Sequence, residues 1–85
     1  MKYIVFTDKR GVETGVVFSD LIDHSTFKSL GATSAGFCDI VNIEYDTNSG
    51  KQLFNIATWG RSVSLGLESK QGDDKIIKKG LEFKG

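Results

Sequence analysis

The stretch from Gly36 to Trp59 constrains this chain most. Phe37 to Tyr45 reads as a strand, Thr47-Asn48-Ser49-Gly50 as a turn, and Leu53 to Trp59 as the returning strand. Phe37, Val41, Ile43 and Tyr45 fall at odd positions, so an unbroken pleat puts them on one face. Cys38 and Ile40 give the other face apolar character at its start, while Asn42 and Glu44 make its far end polar. On the return, Leu53, Ala57 and Trp59 alternate with Phe54, Ile56 and Thr58. A lone hairpin is marginal in water, so a face of this one must be buried against other elements.

The flanking segments supply them. Lys2 to Thr7 is β-rich, Asp8-Lys9-Arg10-Gly11 has the residues of a tight loop, and Val12 to Phe18 returns, with Gly15 a candidate bulge. Asp23 is a suitable N-cap for a short helix, with Ile22 and Phe27 spaced as a hydrophobic staple and Gly31 as the stop. Ala32 to Gly36 is a run of small residues leading into the long hairpin. Val63, Leu65 and Leu67 alternate with Ser62, Ser64 and Gly66, the pattern of a fifth, half-buried strand. Asp73 or Asp74 caps a final helix with Ile76, Ile77 and Leu81 inward, and Leu81-Glu82-Phe83 reads as a tail that packs back. The expectation is one α+β domain, β-β-α-β-β-β-α, with a largely antiparallel sheet of about five strands and two short helices on one face.

Charge and size narrow the function. Eighty-five residues make a single small domain with little room for a deep enclosed pocket. Eleven acidic and eleven basic residues cancel, so no overall field recruits nucleic acid or an anionic membrane. One cysteine forms no internal disulfide, and the apolar run Tyr3 to Phe6 is too short for a signal peptide, which makes a reducing cytosol the default.

The candidate sites are sparse. Ser62-Val63-Ser64-Leu65-Gly66 resembles a nucleophile elbow but has serine where the first glycine belongs. Asp46 to Gly50 starts like a calcium loop, yet its glycine comes fifth and Ala57 stands in the glutamate's place. His24, the single histidine, and Cys38 read as structural, with no metal or cofactor set around them. Ser34 and Gly36 at one end of the hairpin and Gly60, Arg61, Ser62 and Ser64 at the other form a weak candidate for an anion. Lys75, Lys78 and Lys79, with Arg61 and aromatic stacking, form a weaker nucleic-acid candidate, with Lys51 and Lys84 as further cations.

Phe18-Ser19, His24, Ser34-Ala35-Gly36-Phe37, Gly60-Arg61-Ser62-Val63-Ser64-Leu65-Gly66-Leu67 and Asp74 before Ile77 together resemble a group of small uncharacterised phage and prophage proteins. This chain departs from the group in its longer central hairpin around Asp46 to Gly50. The resemblance implies a virus-encoded protein of a bacterial cytosol and carries no activity. The reading is therefore a non-enzymatic protein that works by protein–protein contact, as a homo-oligomer or on a host protein. Its expected interface is Tyr45, Phe54, Ile56, Trp59, Val63 and Leu65, because apolar residues line both sides of the hairpin.

Overall fold

The computed structural model describes residues 1–82, and the side chains of all of these except Asn42, Lys51, Gln52, Leu53, Phe54, Leu81 and Glu82. Strands β1 (Lys2–Thr7), β2 (Glu13–Phe18), β3 (Ala32–Asp46) and β4 (Lys51–Trp59) form one antiparallel sheet in the order β2-β1-β3-β4. A 3-10 helix (His24–Leu30) joins β2 to β3, and an α-helix, α1 (Asp73–Glu82), ends the described chain. The helix runs through Gly80 to Glu82, so Leu81 and Glu82 belong to α1 and not to a tail that packs back; Phe83 lies outside the described residues.

The first hairpin follows its turn chemistry. Asp8 accepts the Gly11 amide on its carbonyl at 3.0 Å, while its carboxylate takes the Arg10 and Val12 amides at 2.8 and 3.0 Å. Gly11 has φ 79°, a conformation that glycine adopts without a Cβ clash. Gly15 is no bulge: it pairs in register with Val5, and a Cβ there would lie 3.1 Å from the Ile77 side chain. The missing side chain lets α1 sit down on the sheet.

Three expectations change. The segment 62–67 is not a fifth strand of the main sheet. Arg61–Ser62 (β5) and Leu67–Glu68 (β6) form a separate two-residue ladder around a turn in which the Gly66 amide bonds the Val63 carbonyl at 3.2 Å. Gly66, at φ 66°, closes that turn, so the apolar alternation belongs to a small loop folded onto the sheet.

Second, the two helices lie on opposite faces. Odd residues of β1 join one core cluster (Tyr3 and Val5 with Cys38, Ile56 and Ile77), and α1 covers it. Ile4 joins Phe18 and Ala35 in the other, against Phe27 of the 3-10 helix and Leu65 and Leu67 of the β5–β6 loop. A central strand that is apolar at Tyr3, Ile4 and Val5 in succession must be covered on both sides.

Third, a bulge reverses the pleat within β3. Ile40 pairs with Ile56 and Asn42 with Asn55, so Val41 is an extra residue on β3. Phe37 and Ile43 therefore belong to different faces despite their odd spacing. Ala32 to Gly36 is itself strand, and its small residues are buried: Ser34, Ala35 and Gly36 lie between the two covering layers. A Cβ on Gly36 would come within 2.5 Å of the Trp59 carbonyl oxygen.

The α1 side is fixed by a buried carboxylate. Asp73, 3% exposed, accepts the Tyr3 hydroxyl at 2.5 Å, the Ser34 hydroxyl at 2.9 Å and the Lys70 amide at 2.9 Å. One side chain thus ties the start of α1 to β1 and β3. Burial, then the hydrogen bond to Asp73 and its charge, push the Tyr3 phenol well above its usual value.

Asp73→Ala leaves two buried hydroxyls without their acceptor and is expected to cost about 3 kcal/mol in chemical unfolding. Asp74→Ala, its neighbour, is expected to cost under about 1 kcal/mol. Because the folded Tyr3 phenol titrates above the unfolded one, its contribution is complete below about pH 10 and is lost as pH rises further. Thermal melts are therefore expected to hold level to mildly alkaline pH and then fall, with a shallower fall in Tyr3→Phe.

Candidate functional site

The β5–β6 loop is held by a chain of side-chain bonds. Gly60, at φ 75°, turns the chain after Trp59, and its carbonyl accepts both the Ser69 amide and hydroxyl, at 3.0 and 2.9 Å. The Ser62 hydroxyl accepts the Leu65 amide at 3.3 Å and lies 3.3 Å from the Ser64 hydroxyl. Ser64 donates to the Asp23 carboxylate at 2.9 Å, and that carboxylate also caps the 3-10 helix through the Ser25 amide at 2.8 Å. The N-cap expected at Asp23 is present, and it doubles as a staple between two loops.

These bonds argue against a nucleophile. The Ser25 backbone bond, then the Ser25 and Ser64 hydroxyls, hold the Asp23 carboxyl down at about 2, a poor match for a base working near neutrality. His24 is turned away from the serines. It is buried, its Nε2 lies 2.9 Å from the Gly36 carbonyl oxygen, and Phe18 and Phe37 meet its ring edge-on. A carbonyl only accepts, so Nε2 carries the proton in that bond. Cys38 is buried, and burial raises its thiol pKa, the reverse of an activated thiolate.

The two anion-loop stretches are neighbours, but they do not converge. Ser34 points to Asp73 on the α1 face, and Gly36 is sealed beneath Trp59. Arg61 and Ser62 instead share an open cleft of about 540 Å³ with Thr33, Val63, Glu68 and Lys70. Glu68 stands opposite Arg61 in the β5–β6 register and lines the same cleft, so its negative charge disfavours an anion there. Lys75, Lys78 and Lys79 lie on α1, whereas Arg61 belongs to the loop on the opposite face, so they form no common basic surface. Lys84 lies outside the described residues. Among the described residues no group of three His, Cys, Asp or Glu side chains is placed to hold a metal, and no helix is long and apolar enough to cross a membrane.

The expected interface residues divide. Ile56 is 9% exposed, and Leu65 is half-buried against Ile4, Phe18 and Ala35; both are spent within the subunit's own core. Val63 is 85% exposed at the tip of the β5–β6 turn, away from the hairpin. Trp59 is half-exposed where β4 ends. Phe54 pairs with Ile43, and its side chain lies outside the described set.

Three further exposed apolar side chains lie on the outer part of the long hairpin, while Val12, Leu21, Ile22 and Leu30 are exposed elsewhere. Just before β1, Met1 and Cys38 exchange two bonds, the Cys38 amide to the Met1 carbonyl at 2.8 Å and the terminal ammonium to the Cys38 carbonyl at 3.1 Å. Among the described residues, β3 from Asp39 to Asp46 has only β4 beside it, an arm of roughly 25 Å at the usual rise per residue. Val41, Ile43 and Tyr45 on this arm are 62, 58 and 65% exposed. The extra residue at the bulge moves Ile43 and Tyr45 to the face of Ile40 and Ile56, and they are exposed there because they lie beyond the buried cluster on that face. No family model matches the chain, and no curated protein and no solved structure matches it either.

The serine staple has a direct readout. In a carbon-detected carboxyl titration, Asp23 is expected to titrate near 2, and Ser64→Ala to move it upward but short of 3.8, because the Ser25 bonds remain. Its folded value is depressed, so the staple's contribution is present above the unfolded value and is lost as pH falls through about 2.

Proposed function

We propose that this protein works by contact with another protein chain and not by catalysis, with the β3–β4 arm as its contact surface. One observation carries the reading: three large apolar side chains, Val41, Ile43 and Tyr45, are each more than half exposed along a ribbon that has only two strands. Two strands without a third are marginally stable in water, and an exposed apolar cluster at such a place is the kind of surface that partners cover. The sealed His24, the neutral buried Cys38 and the strongly acidic Asp23 supply no activated group for chemistry. The resemblance to phage and prophage proteins fits a protein acting in a bacterial cytosol, as a homo-oligomer or on a host factor.

The test pairs assembly with capture. Ile43→Glu with Tyr45→Glu adds charge at exposed positions, so the fold is expected to persist by circular dichroism. Wild-type protein is expected to sediment above its 9.3 kDa protomer mass or to retain a host protein from bacterial lysate. The double variant is expected to weaken that association roughly tenfold or more. A wild-type monomer that captures nothing, indistinguishable from the variant, contradicts the reading.

A further inference from the structure

Resting on the contact reading above, we propose that the arm's partner is a second copy of this chain. The two copies join edge to edge by antiparallel pairing of β4 with β4 about a two-fold axis at Asn55, making one continuous eight-stranded sheet.

The sheet order β2-β1-β3-β4 leaves two edges, and they differ. Strand β2 is six residues long and begins with Glu13, whereas β4 runs for nine residues with no strand on its outer side. Open edges of folded proteins are normally guarded by charge, proline, bulges or shortness. From Gln52 to Trp59, β4 carries no charged residue, and the chain contains no proline. The bulge of this hairpin falls on β3, where Val41 is the extra residue, so β4 stays continuous. The arm's other open edge, the outer half of β3, carries Asp39, Glu44 and Asp46, which repel a like strand. Of the arm's two edges, that of β4 carries its single charge at its first residue, Lys51, whereas that of β3 carries three acidic residues.

Symmetry then selects the register. A two-fold axis perpendicular to a sheet keeps each face on its own side, so the axis must pass through a residue and pair same-face positions. Centring on Asn55 sets Phe54 opposite Ile56 of the second copy, Leu53 opposite Ala57, Gln52 opposite Thr58 and Lys51 opposite Trp59. At the three pairs flanking the axis, apolar positions meet apolar ones and polar meet polar. Moving the axis to Phe54 sets Gln52 against Ile56 and Leu53 against Asn55. Moving it to Ile56 sets Phe54 against Thr58 and Asn55 against Ala57. Of these three registers, the one centred on Asn55 is matched at all three pairs flanking the axis.

This pairing also resolves the weakness of the arm. Running antiparallel, the outer end of each β4 lies beside the inner end of the other, so each two-stranded arm gains the partner's sheet as its third and fourth strands. Asn55, exposed in one subunit, becomes the residue that meets itself across the axis.

The test uses the full chain. Asn55→Asp and Asn55→Lys each set like charges about 5 Å apart across the axis. Each variant is expected to remain folded by circular dichroism and to dissociate at least tenfold more readily than wild type in sedimentation velocity over a concentration series. An equimolar mixture of the two is expected to recover a dimer, because opposite charges then meet. Asn55→Cys is expected to form a disulfide-linked dimer on oxidation, since paired strand positions fall within disulfide reach. A wild-type dimer that both charge variants leave unchanged overturns the β4 pairing while the arm-contact reading stands. A wild-type protein that stays monomeric throughout the series overturns it as well, and lysate capture then decides the broader reading.

Discussion

The structure turns on a mismatch of strand lengths. Strand β1 has six residues and supports only the first part of β3, which has fifteen. Every backbone group in a buried sheet needs a partner, so a strand that outruns its neighbour must find another one or remain in water. Here the excess of β3 takes β4 with it as a two-stranded arm. The molecule's longest dimension, 42 Å against 28 and 22 Å, reflects that excess.

The rest of the fold closes tightly around β1, which sharpens the contrast. Both faces of this strand are covered, one by α1 and the other by the 3-10 helix with the β5–β6 loop. Two polar clusters set those covers in place. Asp73 draws α1 onto Tyr3 and Ser34, and Asp23 draws the β5–β6 turn onto the 3-10 helix. The first is buried and fully partnered, the condition under which a polar group in a core contributes specificity instead of a penalty. The polar groups that resemble catalytic machinery in sequence are thus committed to holding covers onto a small sheet. Within this fold His24 bonds the Gly36 carbonyl oxygen, Cys38 is buried in the core, and Ser34, Ser62 and Ser64 bond to neighbouring groups.

Much of the architecture was legible in local patterns. The first hairpin, the Asp23 cap and the Gly31 stop at φ 70° follow from turn and cap chemistry, which depends on few neighbours. The final helix was legible from its apolar spacing, whereas Asp73, one of its two expected caps, bonds Tyr3, Ser34 and the Lys70 amide instead. The misplaced features depend on distant ones. A bulge at Val41 has no signature in an apolar run, and one extra residue reverses the face of everything beyond it. Two-residue ladders such as β5–β6 satisfy the same alternation as a full strand, so periodicity alone does not separate them. Ser34 looked like loop chemistry because its partner, Asp73, is 39 residues away, a pairing that only the folded sheet creates. A buried tyrosine hydroxyl demands some acceptor, and that demand was the available hint.

In the proposed pairing, a single subunit leaves the outer edge of β4 open and a second one fills it. Residue-resolved hydrogen exchange over Lys51–Trp59 at low and high protein concentration reads that edge amide by amide. Amides that face β3 are paired within the subunit, while the alternate ones face outward. Alternating protection is expected at low concentration and protection of both sets at high concentration. An alternating pattern that stays the same at every concentration rules out the β4 pairing.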